Sequence, residues 1–368
     1  MLTRRQFAFS AGLVSSGPLA LQACTGGNGD MSYDEAVQKT WQPAVRAISS
    51  NALLLRELVR YATLAPSSHN TQCWKFALQE RDISIVPDLS RRCPAVDPDD
   101  HHLFVSLGCA TENLIQAALA NGLMGEAALE LAPADVIKVN LQPTRAVASP
   151  LFEAMTRRQC TRAEFDGKSI SGEELKLLQR AGTGRGIELL LLTEKTAMEQ
   201  ALDYVIQGNT VQMNDPAFVA ELKYWIRFGD AEAVRTGDGL FSRASGNPSV
   251  PRWLGSLLFP VLFTTGSEND KYARHVRSSA GIAVFVSKEN DKAHWVEAGR
   301  CYERFALQAA SLGIQNAFLN QPVEVSAIRP QFALWLGVGN LRPDLVVRFG
   351  RGPKMPPSLR RPVQAVLV

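Results

Sequence analysis

The six cysteines of this 368-residue chain form no Cys-x-x-Cys or other tight spacing, and five lie beyond residue 24. An odd number without close pairs signals neither a zinc site nor a disulfide framework. Cys73, Cys93, Cys109, Cys160 and Cys301 therefore read as small buried hydrophobes. An excess of one charge is also missing. Lys+Arg number 39 and Asp+Glu 36, a net +3 that by itself implies neither nucleic acid nor an anionic membrane surface. Beyond the N-terminus no apolar run reaches about eighteen residues, so no internal transmembrane helix is expected. Nothing resembles Gly-x-Ser-x-Gly or a P-loop. Hydrophobic residues make up 46%, aromatics 8% and charged residues 20%, an ordinary globular composition that argues against disorder over most of the length.

The N-terminus reads as an address. Arg4-Arg5 stands before a mostly apolar stretch from Phe7 to Ala20. A charged start followed by a short apolar region is an export signal, and the paired arginines point to the twin-arginine route, which carries folded cargo. The stretch ends in Leu21-Gln22-Ala23-Cys24, similar to a bacterial lipobox whose cysteine is acylated after cleavage. The expectation is export to a periplasmic or outward-facing, membrane-anchored position, with contact to the membrane only through Cys24. Residues 1–24 are the signal and 25–34 a Gly/Asn/Asp/Ser-containing tether.

A self-similarity follows. Val105, Gly108, Glu112, Ala118 and Gly122 match Val296, Gly299, Glu303, Ala309 and Gly313 at one offset: 296 − 105 = 191 and 313 − 122 = 191. Apolar residues between the glycines recur at helical spacing, so both segments read as buried helices ended by their second glycine. Leu58–Ala62 and Leu177–Ala181 give a weaker echo. The alternative is two unrelated Ala/Gly-rich helices. The repeat divides the chain into halves at 35–150 and 151–368, the second carrying a lid-like insertion at about 203–267. Expected strands are Trp74–Leu78, Ile83–Pro87, Ile187–Leu192, Gly281–Val286 and Leu345–Arg348. Helices dominate between them, an α+β pattern.

One loop gathers chemistry. Ala65-Pro66-Ser67-Ser68-His69-Asn70-Thr71-Gln72-Cys73-Trp74 crowds hydroxyls and amides after a proline, giving neutral donors and acceptors next to backbone. By composition alone it is equally a capping turn. Pro-Ser-x-x-Asn-x-Gln followed by Trp resembles the signature of the nitroreductase superfamily, and this version resembles its Acg branch. Arg157 to Phe165 is similar to the family's Arg-x-[Ser/Cys]-x-Arg motif. The Gly/Glu helices resemble its long dimer helices, and Arg348–Pro353 with Arg360-Arg361-Pro362 its C-terminal segment. The first half has no Arg-x-Ser-x-Arg motif. The second has Ala181-Gly182-Thr183-Gly184 where the Ser/Asn loop would stand.

The resemblance implies a nitroreductase-like fold in which two tandem halves form a single-chain pseudo-dimer, monomeric and holding one FMN. It places Arg158, Arg162 and Arg360 at the phosphate and pyrimidine edge, where planar, always-charged guanidinium groups suit both. Ser67, Ser68 and Asn70 would hold the ribityl chain and ring edge, with Gln72 as a further contact. Cys160 takes the Ser/Cys position, and Asn320 and Gln321 match the loop near N5. No side chain need be catalytic, because FMN carries the hydride chemistry. The expected activity is reduction of an electrophilic small molecule, nitro-aromatic or quinone-like, from an unidentified electron donor. The alternative is an FMN-sequestering protein with a closed lid. Gly182-Thr183-Gly184-Arg185-Gly186 precedes a strand instead of following one, so it is no Rossmann turn. His101-His102 beside Asp97, Asp99 and Asp100 suggests no metal, since adjacent histidines diverge.

Overall fold

Two four-stranded antiparallel sheets flank a pair of long crossing helices. The structure, a computed structural model, describes residues 31–43, 50–132 and 134–368. The arginine pair, the apolar stretch after it and Cys24 lie outside the described residues. The first sheet has the order Trp74–Leu78, Asp82–Pro87, Val136–Pro143, Leu123–Glu130. The second has the order Ile187–Leu192, Gly281–Ser287, Arg342–Gly350, Gln315–Phe318. All five strands expected from sequence are present. Three more in these two sheets were not anticipated, Leu123–Glu130, Val136–Pro143 and Gln315–Phe318, nor was a separate two-residue parallel pair, Ile226–Arg227 with Leu240–Phe241. Leu123–Glu130 reads Leu-Met-Gly-Glu-Ala-Ala-Leu-Glu, mostly good helix formers. It forms an edge strand because alternate side chains are half-buried on one face, and pairing overrides propensity.

The central helices are His101–Ala120 and Lys292–Ser311. Each runs into a left-handed glycine, Gly122 at φ +78° and Gly313 at φ +70°, where a side chain would be strained. They cross with backbones in contact. A Cβ on Gly108 would collide with the Val296 carbonyl, and one on Gly299 with the Val105 carbonyl. Cys109 Sγ reaches the Gly299 carbonyl at 3.2 Å across this seam. The contact is reciprocal at the 191-residue offset, which explains why the glycines recur in the sequence. Of the described helices, only His101–Ala120 is long and apolar enough to cross a membrane, but 78% of its apolar window is buried inside the body, so it is a core helix.

One continuous core takes residues from both sheets, including Trp74, Phe76, Phe285, Tyr302, Phe305 and Phe349. The C-terminal tail crosses to the first sheet and runs parallel to Trp74–Leu78. There Phe76 N donates to Val366 O at 2.7 Å and Val368 N to Phe76 O at 3.0 Å. Between the strands Ile187–Leu192 and Gly281–Ser287 lie five helices: Lys195–Met213, Pro216–Trp225, Asp230–Thr236, Arg252–Leu262 and Thr265–Arg277. These helices are pinned to the stretch 91–96. Phe218, Leu222 and Trp225 pack on Cys93 and Val96, and buried Asp238 pairs with both Arg91 and Arg227.

Candidate cofactor site

The loop after helix Asn51–Thr63 is the most strained segment described. His69, Asn70 and Gln72 all have positive φ (48°, 53° and 54°), and the one other non-glycine residue described with positive φ is Asp100. A side chain in that region carries a steric cost, sustained only where surrounding contacts over-determine it. Those contacts are present. Ser67 Oγ accepts from Gln72 N at 2.9 Å. Asn70 Nδ2 donates to the carbonyls of Gly239 and Leu359 at 3.0 and 3.2 Å. Gln72 Nε2 donates to Gly237 O at 2.8 Å, and its Oε1 accepts from Arg361 N at 2.8 Å. The loop is therefore clamped between the insertion and the C-terminal segment.

Two of the expected phosphate ligands are spent on backbone. Arg360 donates to the carbonyls of Thr63, Leu64 and Ala65 at 2.8, 3.0 and 3.1 Å, capping the helix end whose last carbonyls have no helical partner. Its guanidinium lies 5.1 Å over the Trp41 ring. Arg158 donates to Leu64 O at 2.7 Å, with Nε 3.1 Å from Glu303 Oε1. Burial pushes the Glu303 carboxyl up to about 7, with Arg158 opposing it. Arg158 and Arg360 thus fix the loop from behind.

Arg162 differs. It is half-buried and makes no hydrogen bond or ion pair with any described residue. Three adjoining cavities share Arg162, Leu240 and Phe318 in their walls. The first, about 260 Å³, is largely apolar and walled by the insertion through Ile226, Phe228, Leu258 and Phe259. The second, about 190 Å³, is polar and brings together Ser67, Ser68, His69, His102, Asn320 and Gln321. The third, about 60 Å³, has Asn70, Arg158, Cys160 and Arg360. All of the expected contacts except Gln72 therefore line one connected space; Gln72 is wholly buried behind the loop. Cys160 is held by pairing beside Asn316, where Thr161 N donates to Asn316 O at 2.8 Å.

Sequence reasoning missed several groups in the second cavity. Asn209 and Gln212 come from the insertion helix Lys195–Met213, and Gln212 Nε2 donates to Glu324 Oε2 at 2.7 Å. His102 stands at its floor, with Nε2 3.4 Å from Asn320 Nδ2 and Nδ1 3.6 Å from Asp97 Oδ1. Burial works against protonation of His102, but the Asp97 carboxylate overcomes it and holds the imidazole above its ordinary value. His69 goes the other way, lowered to about 4 by burial and then by Arg162. Asp97, His101 and His102 cluster closely enough to hold a metal ion. Their ligand atoms are engaged, however: His101 Nε2 meets Asp344 Oδ1 at 2.8 Å, and Asp97 accepts from the amides of His102 and Leu103 at 3.0 and 2.9 Å.

Curated relatives match nearly the whole described body. Rv3131 of Mycobacterium tuberculosis, named as a candidate NAD(P)H nitroreductase, is 23% identical over 330 residues, covering 86% of this chain and 92% of its own. The acg protein of the same species, named likewise, is 21% identical over 331 residues, covering 85% and 95%. The chain is distantly similar to these candidate NAD(P)H nitroreductases over most of its length. No family model matches the sequence. Among solved structures, an FMN-bound nitroreductase from Desulfitobacterium hafniense aligns with 58% of this chain and 96% of its own, at 14% identity and a TM-score of 0.37. NfnB of Mycobacterium smegmatis, solved with NADPH, aligns with 55% and 87%, at 12% identity and a TM-score of 0.36.

Proposed function

We propose that this chain is a single-chain, fused-dimer flavoprotein of nitroreductase type that holds one FMN in the connected cavities and reduces an electrophilic small molecule. The observation that carries the reading is Arg162. A half-buried guanidinium with no partner among the described residues, beside a strained loop of hydroxyls and amides, is built to meet an anion. The donor set fits FMN: a fixed cation for the phosphate or the pyrimidine edge, and the neutral groups of Ser67, Ser68, Asn320 and Gln321 for the ribityl chain and ring. The names of the homologues point the same way. Arg158, Arg360, Asn70 and Gln72 act as positioning residues that hold the loop in its left-handed conformation. When bound, FMN supplies hydride transfer between a reduced donor and the acceptor. At the floor of the second cavity Asp97 faces His102 Nδ1 and favours the charged ring, while Nε2 faces Asn320 Nδ2.

The insertion supports a second reading, FMN sequestration without turnover, because Ile226, Phe228, Leu240 and Phe259 wall the site from the outside. The twin-arginine signal and acylation of Cys24 complete the proposal, placing the body outside the cytoplasm, where a redox partner other than NAD(P)H would supply electrons. An absorbance spectrum of the purified protein, followed by NAD(P)H or dithionite under anaerobic conditions, separates the readings. Bound flavin that bleaches with either reductant supports the reductase. Flavin that stays oxidised with both supports sequestration, and failure to retain FMN overturns both.

A further inference from the structure

Helix Arg252–Leu262 reads Arg-Trp-Leu-Gly-Ser-Leu-Leu-Phe-Pro-Val-Leu, apolar nearly all round. A helix of that kind is normally buried on every side. Here one stripe faces inward: Gly255 packs on Phe228, and Leu258, Phe259 and Leu262 wall the first cavity. The opposite stripe, at i, i+4 and i+8, is bare. Trp253 is 70% exposed, Leu257 65% and Val261 71%. Three large apolar side chains in one row of a short surface helix form a patch that water alone does not favour. Lys223 borders it, its Nζ donating to Ser256 O at 3.2 Å.

A chain of contacts links the start of the described body to this helix. Ser32 caps helix Tyr33–Thr40. The Tyr33 ring lies 4.4 Å from that of Phe241 and under Arg243. Arg243 pairs with Asp230 at 3.2 Å, and Glu232, two residues along, pairs with Arg252 at 2.6 Å. From Cys24 to Ser32 is 32 − 24 = 8 residues, a reach of at most about 28 Å. We infer that the Trp253–Leu257–Val261 stripe docks in the headgroup boundary of a lipid bilayer, as the second contact of a body tethered through Cys24. A tryptophan beside aliphatic side chains and a basic border is the composition that partitions there. This rests on the proposed anchor for its direction, but not on the flavin reading.

The test uses the full chain carrying Cys24→Ser, so that no acyl group contributes, with vesicles of equimolar phosphatidylethanolamine and phosphatidylglycerol. Adding Trp253→Ser, Leu257→Ser and Val261→Ser should reduce co-flotation by at least about tenfold. Unchanged flotation would assign binding to the N-terminal apolar stretch and overturn the proposal. Because these positions are exposed, circular dichroism should report an unchanged fold. If it does not, a second measurement on the unaltered stripe decides. Brominated lipid should quench a tryptophan signal that Trp253→Phe removes, and no difference between the two proteins would refute docking. Self-association without vesicles, abolished by the triple substitution, would make the stripe a contact between copies and equally overturn the inference. FMN content, read from the same samples, reports on the cofactor site independently.

Discussion

Glu112 and Glu303 occupy matched positions on the two crossing helices, yet their surroundings have diverged. Glu112 accepts from Arg300 at 3.2 Å and Arg304 at 3.0 Å, and both arginines also reach Glu297. Arg304 Nε donates to Ala181 O at the end of helix Gly172–Gly182. A side chain on Gly184 would collide there with Cys301 and Glu297. That position is filled, and its charges are satisfied by one another. Around Glu303 the arrangement is leaner. Arg158 takes Glu303 and the Leu64 carbonyl, Arg360 takes the helix end, and Arg162 pairs with no described residue and lines all three cavities. One matched position has closed into a salt-bridge network, while the other stays open behind a strained loop. The difference gives the physical reason for proposing one flavin per chain.

The comparison can be broken most severely at the buried acid. Glu303→Ala should destabilise the protein by about 3–5 kcal/mol by stranding Arg158 in the core. Glu112→Ala should cost only about 1 kcal/mol, since its arginines are partly exposed and keep Glu297. Chemical denaturation of the two variants side by side measures the gap. The shared seam comes next. Gly108→Ala and Gly299→Ala each push one backbone against the other and should cost about 2–3 kcal/mol, nearly equally, read as a fall in Tm. Unequal costs would show that the crossing is not reciprocal in energy. A smaller effect on stability is expected from Arg162→Ala, which removes an unpaired cation. The fold should be retained, while FMN affinity drops about 10–100-fold in fluorescence titration.

The smallest effect is on pH dependence. The folded state holds His69 at about 4, below the ordinary histidine value of 6.5, so its neutral form is favoured on folding. Its contribution to stability is fully present above 6.5 and is lost as pH falls through 4. His69→Gln should therefore flatten the decline in stability between pH 6.5 and 4. Denaturation midpoints across that range check it.

Much of this was legible in the sequence, for reasons that differ by element. Gly108 and Gly299 showed because a backbone crossing tolerates no side chain, and the constraint leaves a fixed offset. The inner strands showed as short apolar runs, whereas Leu123–Glu130 was hidden by residues that favour helix until an edge captures them. The Ser67–Gln72 loop stood out by composition and resemblance. Which arginine stays unpaired did not, because Arg158, Arg162 and Arg360 differ only in which backbone carbonyls approach them after folding. His101 and His102 are adjacent in sequence, and only tertiary packing sends one to Asp344 and the other to the cavity floor. The insertion was legible as extra length. Its bare apolar stripe was not, since an apolar helix reads the same whether or not the body covers it.

The central claim is that Arg162 marks an FMN site on the open side of the crossing. The most direct measurement compares the flavin absorbance of the purified chain with that of Arg162→Ala and Arg304→Ala, each after loading with FMN and desalting. About one FMN per chain is expected in the unaltered protein and in Arg304→Ala, and little in Arg162→Ala. Equal FMN in all three, or loss only in Arg304→Ala, would contradict it.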